Sequence, residues 1–203
     1  MKHLFKQGSN DHPVLLLLHG TGGTEKDLLP IADRIDPDAS VLSVRGNVVE
    51  NGMPRFFKRL AEGVFDEQDL VKQTAELNQF ISVASERYNF NRDTVVAIGY
   101  SNGANIAASL LFHYKNVFKG AVLHHPMVPL RDISRPMQID IPIFIGAGVN
   151  DPLCAPEETT ELEGLLTSQE AVVTVHWEEN GHQLSHTELN AAKDWYTTNL
   201  LNQ

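Results

Sequence analysis

Cysteine is nearly missing from this chain: Cys154 is the only one in 203 residues. A lone thiol excludes an intrachain disulfide and cannot build a zinc-ribbon site. Basic residues are also scarce, 16 against 26 acidic, for a formal net charge of −10. With no run of five or six Lys or Arg, nucleic acid and anionic membrane are not expected as partners. No long apolar run occurs either. The longest, Val14 to Leu18, is far short of the roughly 20 residues that span a bilayer. Met1 to Pro13 is polar and has no apolar core of a signal peptide. Low-complexity segments, internal repeats and Pro/Gly/Ser linkers are absent as well. One soluble, cytoplasmic domain over residues 1–203 is the expectation.

What the chain does contain is short apolar runs alternating with helical patterns. Val14–Leu18 is continuously apolar, as expected of a strand buried on both faces. Further strands are expected at Val41–Val44, Thr94–Tyr100, Ala121–His124, Ile143–Gly146 and Ala171–Trp177. Leu70, Leu77, Phe80, Ile81 and Ala84 recur at helical spacing and predict a helix from Gln68 to Tyr88. Asn102–Phe112 is apolar nearly all round, as in a helix at the centre of a domain. Pro156, followed by Glu157 and Glu158, marks another helix start. Ser185-His-Thr-Glu188 reads as a capping box opening the last helix. This alternation predicts an α/β fold, a mostly parallel sheet with helices on both faces. Its chemistry should lie beyond the carboxyl ends of the strands.

Four motifs stand there. Gly99-Tyr-Ser101-Asn-Gly103 joins a strand to a helix; a sharp turn exposes a serine hydroxyl, and the glycines permit a strained, closely packed backbone. His19-Gly-Thr21-Gly-Gly23 follows the first buried strand and offers backbone N–H groups to an oxyanion. It lacks the G-K-[ST] of a phosphate loop and the G-x-G-x-x-G spacing. Thr24 is placed to cap the helix that follows, and His19 reads as a structural hydrogen-bonding residue. Asp151, in Gly148-Val-Asn-Asp-Pro152, follows a strand and can orient a histidine. His182, in Asn180-Gly-His182, precedes the capping box, so it cannot form a helical zinc pair with His186. Ser101, Asp151 and His182 therefore follow three strands in the chain order of α/β-hydrolase triads: nucleophile, orienting acid, general base.

Leu18-His-Gly-Thr-Gly-Gly23, Gly99-Tyr-Ser-Asn-Gly103, Asn150-Asp-Pro152 and Gly181-His182 resemble the phospholipase/carboxylesterase branch of the α/β-hydrolases. That branch contains small carboxylesterases and acyl-protein thioesterases and lies near the dienelactone hydrolases. The resemblance spans nearly the whole chain. It implies an α/β-hydrolase fold, the triad just named, Thr21 and Asn102 as oxyanion donors, and no cofactor or metal. A serine stands where dienelactone hydrolases carry cysteine. The thioesterases' Trp-Phe-Asp is missing from the segment after Arg45-Gly46.

In that segment Met53, Phe56 and Phe57 are candidate pocket residues, although the same side chains could form a minor core beneath a loop. Arg45 could bind a substrate carboxylate or pair with Glu50. His124 and His125 end a strand, where adjacent side chains point to opposite faces and cannot share a metal. Cys154 reads as a small buried residue. The expected activity is hydrolysis of small soluble esters, with no separate lid domain. Thioesterase or lysophospholipase activity is the alternative, and a hydrolase fold reused as a ligand receptor is the reading of a different class. The expected partner is a small-molecule ester, and the sequence leaves open whether the protein is a homodimer.

Overall fold

The computed structural model describes residues 1–201. Apolar runs become central strands here because helices cover both faces of the sheet. Seven strands form it: β1 (His3–Lys6), β2 (Val14–Leu18), β3 (Ser40–Val44), β4 (Val95–Tyr100), β5 (Gly120–His124), β6 (Pro142–Gly148) and β7 (Val172–Glu178). Their spatial order is β1-β3-β2-β4-β5-β6-β7. β2 to β7 are mutually parallel, and β1 pairs antiparallel with β3 at one edge. All five residues of β2, β3 and β5 are buried, whereas edge strand β7 alternates and leaves Val172 and Trp177 exposed.

Among the described residues five α-helices complete the layers: α1 (Leu29–Ile35), α2 (Glu67–Tyr88), α3 (Asn102–His113), α4 (Pro156–Ser168) and α5 (His186–Tyr196). α1 and α5 bury Ile31, Ile35, Ala192 and Tyr196 against one face, with Leu15, Leu17 and Ile98 of the sheet. α2, α3 and α4 bury Leu70, Leu77, Ile106, Leu110 and Leu162 against the other. Local chemistry sets the ends of α2: the Asp66 side chain accepts from the Asp69 N–H, and Asn89 closes the helix in the left-handed region at φ 54°. The Ser185 hydroxyl accepts from the Glu188 N–H at 2.9 Å, as the capping-box motif requires. The reciprocal half is missing, because the Glu188 side chain turns into the core.

Several expectations need correction. Thr24 caps no helix: α1 starts at Leu29, behind Leu28, with no side-chain cap, and the Thr24 hydroxyl donates to Asp27 instead. β1 had no sequence signal. Neither had two short hairpins between β3 and α2, which pair Val48–Glu50 with Met53–Arg55 and Arg59–Ala61 with Val64–Phe65.

Candidate active site

β2 and β4 are neighbours, and the chain leaves them toward opposite halves of the sheet. Such a switch point opens a crevice beyond the strand ends. β4 ends at Tyr100 and α3 begins at Asn102, so Ser101 alone makes the turn. Its backbone sits at φ 52°, ψ −114°, a region that L-residues avoid and that surrounding structure must enforce. The enforcement is close packing. A Cβ on Gly103 would lie 2.0 Å from the Leu18 carbonyl oxygen, and one on Gly99 would lie 2.7 Å from the Ala104 nitrogen. The Ser101 N–H donates to the His124 carbonyl at 2.9 Å.

Two further loops converge on this serine. Asp151 follows β6 and is 7% exposed, and His182 follows β7. Asn150 ties the loops together, accepting from the Gly181 N–H at 2.8 Å and donating to the Glu179 carbonyl at 3.2 Å. The Tyr100 hydroxyl donates to the His182 carbonyl at 2.7 Å. Thus held, His182 presents Nε2 2.8 Å from Ser101 Oγ and Nδ1 2.7 Å from Asp151 Oδ2. Asp151 Oδ1 accepts the Leu153 and Cys154 N–H groups at 2.8 and 3.0 Å. Burial alone would raise the Asp151 pKa; the His182 hydrogen bond and these N–H groups outweigh it and hold the carboxyl below its ordinary value. With Nδ1–H donated to a carboxylate, Nε2 is left as the lone-pair nitrogen facing the hydroxyl.

Thr21 and Asn102 border the same cavity, of about 300 Å³. Among the described residues, no acceptor pairs with the Thr21 N–H, and the Asn102 N–H, first in α3, has no intrahelical partner. The glycine loop is pinned from outside by a bond from the Gly22 N–H to the Pro54 carbonyl at 2.9 Å. His19 donates Nδ1–H to Gly20 and accepts the Gly46 N–H on Nε2, tying two loops together as a structural residue. Burial lowers its pKa, consistent with a neutral ring.

The expected pocket residues sit elsewhere. Phe56 and Phe57 are fully buried: Phe56 packs on His19, and Phe57 backs Phe65 edge-on at 5.0 Å. They belong to the main core on the α2–α3–α4 face, so neither the pocket nor the separate minor core describes them. Met53 is 37% exposed and lies beside Gly22, outside the cavity lining. Arg45 pairs with Glu25, a nearly fully buried acid that needs a cation, and not with Glu50. Glu50 lies between Arg55 and Arg59, at 3.2 and 2.9 Å. The cavity wall comes from residues the sequence did not flag: Arg55, Arg59, Glu62, Phe65, Met127 and Tyr100. Two of them stood next to a signal: Tyr100 is inside the serine motif, and Arg55 lies between Met53 and Phe56 in the segment after Arg45-Gly46.

His124 and His125 do converge, against the alternation argument. His125 has φ 53°, which breaks the strand period and turns both rings toward Glu188. The ligand atoms of His125, Asp151 and His182 lie within 4.8 Å of one another. Both rings, however, turn Nδ1 directly to one carboxylate oxygen, a hydrogen-bonded arrangement. Cys154 is buried with its Sγ on the Pro126 carbonyl, and burial pushes its thiol up to about 12. It is inert.

The family model of the dienelactone hydrolases matches residues 48–197. The chain belongs to the dienelactone hydrolase family. It is 60% identical over 196 residues to the "Putative hydrolase MhqD" of Bacillus subtilis (strain 168), covering 97% of this chain and 98% of that protein. A crystal structure of a Bacillus cereus carboxylesterase is 60% identical, covers 98% of this chain and 94% of its own, and superimposes with a TM-score of 0.96. YahD, solved with malic acid, is 32% identical over 98% of both chains, with a TM-score of 0.94. The fold is thus the α/β-hydrolase fold, and the solved relatives at 29% identity and above include two carboxylesterases. No helix among the described residues is long and apolar enough to cross a membrane.

Proposed function

We propose that this protein is a serine carboxylesterase that forms an acyl-enzyme on Ser101, with the whole chain as one catalytic unit. The observation that carries this reading is the unbroken line from Ser101 Oγ through His182 to Asp151, at 2.8 and 2.7 Å. As Oγ attacks the ester carbonyl, His182 Nε2 takes its proton, and Asp151 keeps Nδ1–H in place and balances the imidazolium charge. The Thr21 and Asn102 N–H groups hold the oxyanion. His182 then protonates the leaving alcohol; in the second half it takes a proton from water as the water oxygen attacks the acyl carbon, and returns that proton to Ser101 Oγ as the acyl–Oγ bond breaks and the acid leaves.

The cavity limits the substrate. About 300 Å³ is at the small end of ligand sites, which favours short esters over lipids. Arg55 sits in the wall with Nη1 on Thr21 and Nε toward Phe57 and Glu50. Among the described residues its Nη2 has no hydrogen-bond partner, and Arg59, paired with Glu50, adds a second cation to a lining that also includes Glu62. YahD's malic acid is a small dicarboxylic acid. Short esters that carry a carboxylate are the class this wall suits.

A fluorophosphonate probe should label wild-type protein once, at Ser101, and should not label a folded Ser101→Ala variant. Stoichiometric labelling of that variant would overturn the assignment. In a screen of graded esters, short carboxylate-bearing esters should show the highest kcat/KM. A preference for long neutral acyl chains would overturn the substrate class.

A further inference from the structure

The triad reading leaves one buried group without a role, although it contacts the triad directly. His125 is 1% exposed; its Nδ1 lies 3.0 Å from Asp151 Oδ2, the oxygen that also receives His182, and its Nε2 lies 3.2 Å from Glu188 Oε2. Glu188 is fully buried, and its other oxygen is held by His124 Nδ1.

The proton count follows from the donor inventory. A neutral imidazole has one N–H and one lone pair, whereas a carboxylate offers lone pairs only. A ring with a carboxylate at each nitrogen needs a proton on both, so either the ring is an imidazolium or one carboxyl is protonated. Both carboxyls are better served as anions. Asp151 accepts two backbone N–H groups besides the rings. For Glu188, burial pulls upward, but the His124 and His125 hydrogen bonds prevail and hold its pKa down to about 2. For His125 itself, burial pulls downward, and Glu188 and Asp151 outweigh it and raise the pKa above the ordinary histidine value.

The backbone is shaped for this contact. His125 is a buried non-glycine residue at φ 53°, a costly conformation whose effect is to aim both histidines at one carboxylate. On the next strand Gly146 has no side chain where Glu188 lies; a Cβ there would be 1.9 Å from Oε1. The charged or titratable groups around His125 are His124 beside it on the same Glu188 carboxylate, Asp151 after β6, Glu188 on α5, His182 after β7 with its ring centroid at 5.1 Å, and Tyr100 on β4 edge-on at 6.2 Å.

We propose that His125 is a positioning residue for the hydrolysis, an imidazolium clamped between Asp151 and Glu188 that fixes Asp151 Oδ2 for His182 and cancels the charge of Glu188. Asp151 and Glu188 carry two negative charges and His125 one positive. His124 meets Glu188 with Nδ1 alone, its Nε2 having no partner among the described residues, a contact that one N–H satisfies without a charge; His182 therefore faces a cluster of net charge −1, the same as a lone aspartate would give. Both His125 nitrogens are engaged, so the ring acts through Asp151 and not on the substrate. The proposal rests on the triad reading above.

Nitrogen-15 spectra of the histidines, assigned through bonds in the wild-type protein, test it without a variant. At about pH 8, well above the usual histidine pKa, His125 should still show two protonated ring nitrogens; a bare nitrogen on His125 would overturn the proposal. In Glu188→Gln, His125 should lose its Nε2 proton; retention of both protons there would remove Glu188 from the clamp. Kinetics supply the second readout. His125→Leu and His125→Gln both delete the positive charge, so the acid limb of kcat/KM should move to higher pH by about one unit in each. Glutamine keeps an N–H for Asp151 and should recover kcat relative to leucine. Equal acid limbs in wild type and His125→Gln would overturn the charge role. Fluorophosphonate labelling of each protein separates the failures: loss of Ser101 labelling in wild type breaks the triad reading, whereas intact labelling with a neutral His125 breaks only this one.

Discussion

Asp36 and Asp151 are both buried aspartates held by a histidine, at opposite ends of the sheet. Asp36 closes α1 and accepts His12 Nδ1 at 2.9 Å and the Tyr196 hydroxyl at 2.7 Å. Asp151 accepts His182, which in turn faces the Ser101 hydroxyl. Each cluster thus has a hydroxyl, an imidazole and a carboxylate, but in a different order. At Asp36 the carboxylate stands in the middle, and the hydroxyl spends its proton on it. Burial, reinforced by Asp36, raises the Tyr196 pKa, so that hydroxyl keeps its proton. At Asp151 the imidazole stands in the middle, and the hydroxyl meets a lone pair able to take its proton. Composition alone does not distinguish a strut from the proposed nucleophile; sequence of contact does. Position decides the rest, because the amino ends of the strands lack the helix N-terminus and glycine loop that Ser101 has beside it.

The sharpest way to break this contrast is at the hydroxyls. Ser101→Ala should lower kcat on the order of 10⁶-fold, as loss of a triad nucleophile does, with no loss of thermal stability. Activity within tenfold of wild type would place the two clusters in one class. Next in size is Asp151→Asn, which holds the imidazole in the wrong tautomer and should cut kcat by about 10⁴-fold with KM little changed. Steady-state kinetics showing a rise in KM instead would make Asp151 part of the substrate site.

At the other cluster the effect should be on stability. Tyr196→Phe strips a buried carboxylate of a donor and should destabilise by about 1–3 kcal/mol in urea unfolding, with kcat/KM preserved. Lost activity in the folded variant would contradict a purely structural role. The smallest effect concerns pH. The hydrogen bond to Asp36 raises the His12 pKa above its ordinary value, against a smaller desolvation effect. A raised folded pKa contributes stability that is fully present below about 6.5, the unfolded value. That contribution is lost as pH rises through the higher folded value, so wild type should lose a small increment of stability there and His12→Gln should not. Parallel stability curves for the two proteins would remove His12 from the account.

Much of the frame was legible in the sequence for one physical reason: strands covered on both faces must be apolar throughout. Val14–Leu18 and its parallel neighbours therefore read directly, within a residue or two at their ends. β1 alternates between half-buried and exposed over only four residues, and the hairpins pair two or three residues each, too short for a period to show. Ser101, Asp151 and His182 could be singled out because each follows such a strand. Their surroundings could not. Glu188 reads as half of a capping box, and nothing local reveals that its side chain turns inward. The left-handed φ of His125 invalidates an alternation argument that holds for regular strands. Arg45 had Glu50 five residues away, and folding gave it Glu25 instead.

The strained turn at Ser101 has an evolutionary consequence. Glycine would adopt φ 52°, ψ −114° at less steric cost than any residue with a side chain, so the most comfortable occupant of that position is one that cannot attack an ester. On the proposed mechanism, persistence of the fold and turnover of substrate therefore pull this residue in opposite directions. A lineage released from the need for turnover would drift toward an inert, sturdier relative with the same sheet and helices.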